Sequence, residues 1–243
     1  MWEIVYKNLL LVYILELGAA LAGSYYLKKI KGVKKETKIL VYYLWLVIFV
    51  ESVGLYPLYA YFTNYETMPF IKDTPWERNY WWYNLYHFLK FAALFYYFVS
   101  QLSSAVKRKI FRIVAVIYLL CSILYLSFSG EFFYQYSTFD SIVGTFFIIT
   151  LILFYLYELL KSEQILNFYK SLPFYISIGI LVWHVTVTPL LIYSMYFTQR
   201  SPEFVELNTI VLRLINIFLY GMFIAGFLIC ATKKKEIEKL KRV

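Results

Sequence analysis

Long apolar runs separated by short polar connections dominate the pattern of hydrophobic and polar positions along this chain. Seven runs are close to the roughly 20 residues that a helix needs to cross a bilayer. They lie at about 8–27, 39–62, 80–103, 110–128, 139–160, 174–197 and 208–231. A backbone in lipid must satisfy its own hydrogen bonds, so each run is predicted to be a helix. The pattern predicts an all-α fold, a seven-transmembrane-helix bundle over residues 1–232, followed by a basic tail at 233–243.

Basic residues are concentrated in alternate connections of this predicted bundle. Eighteen of the 24 lysines and arginines fall on one side, in the stretches "LKKIKGVKKETK" and "VKRKIFR", in the connection after the fifth run and in the tail. The opposite side carries Lys7, Lys72, Arg78 and Arg200. Cytoplasmic loops of membrane proteins are enriched in lysine and arginine. We therefore predict that the N-terminus lies outside and the C-terminus in the cytoplasm.

The composition is that of an integral membrane protein, and it also indicates which kinds of partner to expect. Hydrophobic residues make up 61% of the 243 positions, charged residues only 16%, and the mean hydropathy is +0.62. Such values lie outside the range of soluble domains. The net charge of +9 is explained by the orientation signal, so we expect the lipid bilayer as the partner and no nucleic acid. The first run is too long for the apolar part of a cleavable signal peptide.

Ionisable residues inside the predicted spans are the candidate functional site, because such residues are costly in lipid. They are Glu16, Glu51, His87, Lys90, His184 and Arg213, with Asn84 and Asn216 as neighbouring polar candidates. Counted inward at about 1.5 Å per residue, most fall in the centre and outer half of the bundle. Lys90 is predicted to pair with Glu51 or Glu16, and Arg213 with the other acid. Asp140 and Glu158 fall at helix ends, where water is near.

Two interpretations of this cluster stay open at the level of sequence. One is a buried ion-pair network that only fixes helix packing. The other, which we favour, is a polar cavity that binds a ligand. Neither a catalytic residue nor a cofactor is predicted, and a zinc site formed by His87, His184 and Glu51 is a weak alternative. Pro57 and Pro189 each follow a polar residue, so both are candidate hinges as well as tolerated prolines.

Several classes of seven-helix protein can be set aside from the residues alone. A retinal protein needs a Schiff-base lysine in its last helix, but the run 208–231 contains none. Zinc hydrolases of the ceramidase and adiponectin-receptor type need three histidine ligands, and this chain has two histidines. A transporter of the SWEET and PQ-loop type is harder to exclude, although no PQ dipeptide is present.

The last third of the chain resembles an uncharacterised family of bacterial seven-helix membrane proteins, similar to the seven-helix modules that precede sensor histidine kinases. The resemblance covers "LPFYISIGILVWHVTVTPLLIYSMYF" and "RLINIFLYGMFIAGFLICATKKK", mainly residues 173–232. The matching positions are Pro173, Phe174, Ile176, Gly179, Leu181, Ile215, Asn216, Ile217, Leu219 and Tyr220. The resemblance implies a sensor-like module in the cytoplasmic (inner) membrane of a bacterium.

These observations lead to one functional expectation and two alternatives. We expect a receptor-like module that binds a small or lipid-like ligand in an outer-half polar cavity and acts through a membrane or cytoplasmic signalling partner. A small-solute or ion transporter would use the same intramembrane residues. A structural subunit of a membrane complex is the third possibility, and an enzyme is less expected than any of these.

Overall fold

The structure is a computed structural model that describes residues 9–196 and 202–240, with side chains for 9–193 and 204–232. Within these ranges the chain forms eight α-helices and no strand. The helices are α1 Leu10–Lys29, α2 Lys35–Gly54, α3 Tyr56–Phe62, α4 Tyr80–Gln101, α5 Ala105–Phe128, α6 Thr145–Leu160, α7 Leu172–Tyr196 and α8 Pro202–Leu240. Position 8, position 197 and the side chains of the basic tail fall outside the described residues.

Six segments are long and apolar enough to cross a membrane. They are Leu10–Lys29, Lys35–Phe62, Ala105–Phe128, Asp140–Leu160, Leu172–Tyr193 and Phe204–Thr232. The chain is therefore an all-α, multi-pass membrane protein. Helix α4 is equally long, with 22 residues, but it is less apolar because its first half carries Asn84, His87 and Lys90.

Six of the helices form a ring, and a seventh packs outside it. Helix α8 packs against α7 and α1, and α1 continues the ring through α2 to α4. Helix α4 then contacts α6, and α6 contacts α7, which closes the circle. Helix α5 packs on α4, and only 11% of the residues in its apolar stretch are buried within the protein. The centre of the ring is consequently the place where polar side chains can be kept away from lipid.

One end of the ring is filled by large side chains. On the side of the basic connections, Tyr97, Phe98, Phe227, Leu40 and Ile176 are completely buried. They come from α4, α8, α2 and α7, so four helices meet there over a continuous apolar core. Dense packing of this kind leaves no space for water between the centre of the ring and the basic end. A crevice of about 650 Å³ does open among the basic connections, where Ser103, Glu158 and Lys170 line it, but none of the five core residues above borders it.

Helix α2 is interrupted one turn beyond Glu51. It ends at Gly54, and α3 restarts at Tyr56 with Pro57 in its first turn, the position where proline is best tolerated. Pro189, by contrast, lies inside α7, which continues to Tyr196. The run predicted at 39–62 is thus made of two helices that meet at Leu55, close to the proline singled out in the sequence. Whether either proline acts as a hinge stays a prediction.

Candidate functional site

A cavity of about 210 Å³ lies at the centre of the ring. Its polar lining consists of Glu16, Glu51, His87, Lys90, His184 and Asn216. These side chains come from α1, α2, α4, α7 and α8, and their sequence separations are long. The structure therefore brings together six of the eight polar residues that the sequence singled out. The volume is below the 300–1,000 Å³ of typical drug-sized sites, so the cavity suits a small ligand.

The acidic side of the cavity is formed by α1 and α2. Glu51 accepts a hydrogen bond from the Tyr83 hydroxyl at 2.7 Å through Oε2, and Tyr13 donates to its backbone oxygen at 3.0 Å. Glu16 is 5% exposed and lies beside Tyr220. The Oε2 atom of Glu16 is buried without a hydrogen-bond partner among the described residues. The carboxylate of Glu51 is thus held by Tyr83, while that of Glu16 keeps an unused acceptor.

Lys90 forms the basic side of the cavity, and it does not make the ion pair that the sequence predicted. Among the described residues no carboxylate lies within 4.0 Å of its ammonium. The ammonium instead lies over two aromatic rings, 4.6 Å from the centre of Phe91 and 5.6 Å from that of Trp183. The prediction of a direct Lys90–Glu51 or Lys90–Glu16 pair is wrong, because the cavity separates these groups.

The two histidines occupy different environments. His184 is 2% exposed, and its Nδ1 is 3.0 Å from the Thr145 hydroxyl of α6. His87 lies between Tyr86 and Tyr136, with ring centres about 6 Å away, and its Nδ1 is buried without a hydrogen-bond partner among the described residues. The spacing of three residues does place His87 and Lys90 on the same side of α4, as the sequence predicted.

A metal site does not form from these residues. Within the described parts of the chain no group of three histidine, cysteine or acidic side chains is arranged to hold a metal ion. The zinc site considered for His87, His184 and Glu51 therefore has no structural basis. His184 also uses its Nδ1 on Thr145, and Glu51 is held by Tyr83.

Two further crevices adjoin the cavity on the side away from the basic connections. One, of about 450 Å³, is lined by Glu51 and Tyr83 together with loop residues Glu77 and Asn79. The other, of about 270 Å³, is lined by Glu16, Glu51, Asn216 and Arg213. Glu51 borders all three spaces. Arg213 therefore lies beside the cavity and not in its wall, and its pairing with an acid stays a prediction.

Asn84 does not line the cavity, which corrects its place among the candidates. Its Nδ2 donates to the backbone oxygens of Phe132 and Gln135, both at 3.0 Å, and its Oδ1 accepts from the Ser137 N–H at 2.9 Å. The amide is fully buried and all of these bonds go to the loop between α5 and α6. Its role is to fix that loop on α4.

The same loop is held at its other end by Glu131. Partial burial alone would raise the pKa of this carboxyl, but hydrogen bonds from the Thr138 N–H and from the Tyr125 and Thr138 hydroxyls lower the pKa below its ordinary value. The carboxylate form is therefore favoured. Hydrogen bonds to Asn84 and Glu131 therefore fix the loop 129–139 over one end of α4.

Asp140 is the residue that sequence reasoning missed. Its position at the start of a run suggested contact with water, yet its side chain is completely buried. The carboxylate accepts hydrogen bonds from Tyr118 and from Ser122, the latter at 2.9 Å. Its charge also acts on the Lys90 ammonium. Tyr118 and Ser122, one helical turn apart in the apolar stretch 113–124 of α5, were the available signal.

The chain matches no protein-family model, no curated protein and no solved structure. The resemblance to seven-helix sensor modules therefore stays a prediction.

Proposed function

We propose that this chain is a receptor-like membrane module that binds a small polar ligand in the central cavity and transmits the binding through a partner protein. The observation that carries the proposal is the cavity itself. Intramembrane ionisable groups from four helices converge on it, and two crevices adjoin it on the side away from the basic connections. Such groups mark functional sites more often than packing sites.

We further propose that α4 is the seventh span. Its 22 residues give about 33 Å of helix, enough to cross the hydrocarbon core. The polar residues that lower its hydropathy are directed to the cavity, as for His87 and Lys90, or to the loop 129–139, as for Asn84. An odd number of spans puts the two termini on opposite sides. With the basic connections in the cytoplasm of a bacterium, the N-terminus and the crevices face outward.

We include a partner protein because the connections on the basic side are too short to hold an effector domain of their own. They comprise residues 30–34, 102–104 and 161–171. At the last two, Glu158 accepts from the Ser103 N–H at 2.7 Å and pairs with Lys107 at 2.6 Å, so the helix ends are tied to one another. A change in helix arrangement would reach the cytoplasm through these ends.

A transporter is the second candidate, and the interruption of α2 at Leu55 favours it. Broken helices next to a charged residue are frequent in secondary transporters, and Leu55 lies one turn from Glu51. A transporter must open the cavity to both sides in turn. The core around Phe98 and Phe227 closes the basic side in the present conformation, which agrees better with a receptor.

Thiol labelling in intact cells separates these functions. In a chain with Cys121 and Cys230 replaced by alanine, Asn216→Cys is expected to react with a small membrane-impermeant methanethiosulfonate added outside, because Asn216 borders both the cavity and a crevice. Leu214→Cys, on the same helix but 61% exposed towards lipid, is the matched control and is expected to stay unlabelled.

Cysteines at two exposed lysine positions show, in the same experiment, which side of the membrane the reagent has reached. Lys72→Cys should react only from outside and Lys31→Cys only from the cytoplasm. Reaction of Asn216→Cys from the cytoplasm as well would favour the transporter. If Lys72→Cys is labelled and Asn216→Cys is reached from neither side, the polar groups form a closed structural network and the receptor proposal fails.

A further inference from the structure

Three polar groups in the cavity wall have hydrogen-bonding capacity that the described protein does not use. Glu16 is 95% buried, yet its Oε2 has no partner among the described residues. The same holds for His87 Nδ1. The Lys90 ammonium lies over aromatic rings and has no carboxylate within 4.0 Å in the described parts of the chain. Buried polar groups are normally satisfied, so each exception calls for an explanation.

These groups lie at two chemically different ends of one cavity. At the α1–α2 end, the carboxyl groups of Glu16 and Glu51 are electrostatic neighbours. At the α4–α7 end, Lys90 is surrounded by Phe91, Trp183 and the two histidines. Asp140 acts on Lys90 from beyond the cavity wall, where it is already bound by Tyr118 and Ser122. The cavity therefore has an acidic end and a basic end.

We propose that the cavity binds a small zwitterion, with its cationic group at Glu16 and Glu51 and its anionic group at Lys90. This inference rests on the proposed function and names its ligand class. A zwitterion supplies charge-assisted hydrogen bonds to both ends, and it adds no net charge to the interior of the bundle. A simple cation or anion would serve one end and leave the other without a partner.

The rest of the cavity lining fits a short apolar spacer. It includes Leu44, Val47 and Leu94, together with the stacked pair Tyr43 and Tyr86, whose hydroxyls are 2.9 Å apart. The volume of about 210 Å³ limits the ligand to a small molecule. The class that meets all of these conditions is a compact amine–acid with a few carbon atoms between the charged groups.

The test uses ω-amino acids of increasing length, from β-alanine to 6-aminohexanoate, added to the purified full chain in detergent. At least one is expected to raise the thermal unfolding midpoint and to change the tryptophan fluorescence, since Trp183 lines the cavity. The matched monoacid and monoamine, butyrate and butylamine for 4-aminobutyrate, are expected to have far weaker effects. Lys90→Gln and Glu16→Gln should each weaken binding by at least about tenfold.

Control variants distinguish the general effect of removing a charge from the effect of removing a charge that lines the cavity. Lys109→Gln and Glu163→Gln remove exposed charges of the same kinds and should bind the amino acid like the parent. Lys90→Arg retains the cation and should recover most of the affinity that Lys90→Gln loses, which also shows that the bundle folds with a changed residue 90.

Two results would overturn the zwitterion. One is that butylamine or butyrate binds as tightly as the amino acid. The other is that no amino acid of the series binds although Asn216→Cys is labelled from outside, in which case the receptor proposal survives without this ligand class. An unlabelled Asn216→Cys would instead overturn the proposed function itself.

Discussion

Replacing Lys90 with methionine is expected to raise the free energy of unfolding by about 0.5–3 kcal/mol. A lysine near the centre of a membrane helix costs about 2.5–3.5 kcal/mol, and methionine removes that cost at similar length. The Lys90 ammonium lies 4.6 and 5.6 Å from the ring centres of Phe91 and Trp183, and these cation–π contacts offset about 0.5–2 kcal/mol of that cost. The measurement is unfolding of the purified protein by SDS titration, with the thermal midpoint as a second readout.

Two variants make the result specific. Lys109→Met removes an exposed lysine and should change stability by less than about 0.5 kcal/mol. Glu51→Gln combined with Lys90→Met should be additive within about 0.5 kcal/mol, because the two groups are not in contact. A loss of stability in Lys90→Met, together with strong coupling to Glu51→Gln, would show a buried ion pair and contradict the open cavity.

Replacing Gly144 with alanine is expected to lower the free energy of unfolding by about 1–3 kcal/mol, through overpacking. Gly144 ends the π-helical turn Asp140–Gly144, where a Cβ atom would overlap the Tyr118 hydroxyl and lie 2.6 Å from Cζ of Phe91. To remove this overlap, Tyr118 or Phe91 would have to move. Tyr118 donates to the buried Asp140 carboxylate, and Phe91 borders Lys90. The effect is read from the same SDS titration.

Gly221→Ala is the matched control, because it makes the same substitution inside α8 with no heavy atom within 4 Å of the new Cβ. Alanine is the better helix former, so this variant should be as stable as the parent or more stable by about 0.5–1 kcal/mol. Equal effects of the two substitutions would mean that the contact of Gly144 with Tyr118 and Phe91 does not exist.

The apolar pattern predicted the helices well because each long run has only one way to satisfy its backbone in lipid. It did not predict the interruption at Leu55, since Pro57 is equally compatible with a kinked continuous helix and with a restart. The pattern also gave no account of α5 as a peripheral helix. Which helices form the ring depends on tertiary packing, which periodicity within one run does not contain.

The candidate site was predictable as a set of residues and not as a set of contacts. Intramembrane charge singled out Glu16, Glu51 and Lys90, and all three line the cavity. Charge balance then suggested pairing, which fails because counting along helices fixes depth and leaves the rotation of each helix undetermined. Asn84 and Asp140 were misjudged for a related reason. Their partners belong to the loop 129–139 and to α5, whose positions only the tertiary structure supplies.

The decisive measurement for a ligand cavity in the centre of the ring is an experimental map of the protein purified with native lipid. We expect Lys90 and Glu16 to be separated by a cavity, with density from a small non-protein molecule that contacts at least one of the two. We also expect the core around Phe98 and Phe227 to separate that cavity from the basic side. A map in which the Lys90 ammonium bonds directly to the carboxylate of Glu16 or Glu51, with no space between the helices, would show that no such cavity exists.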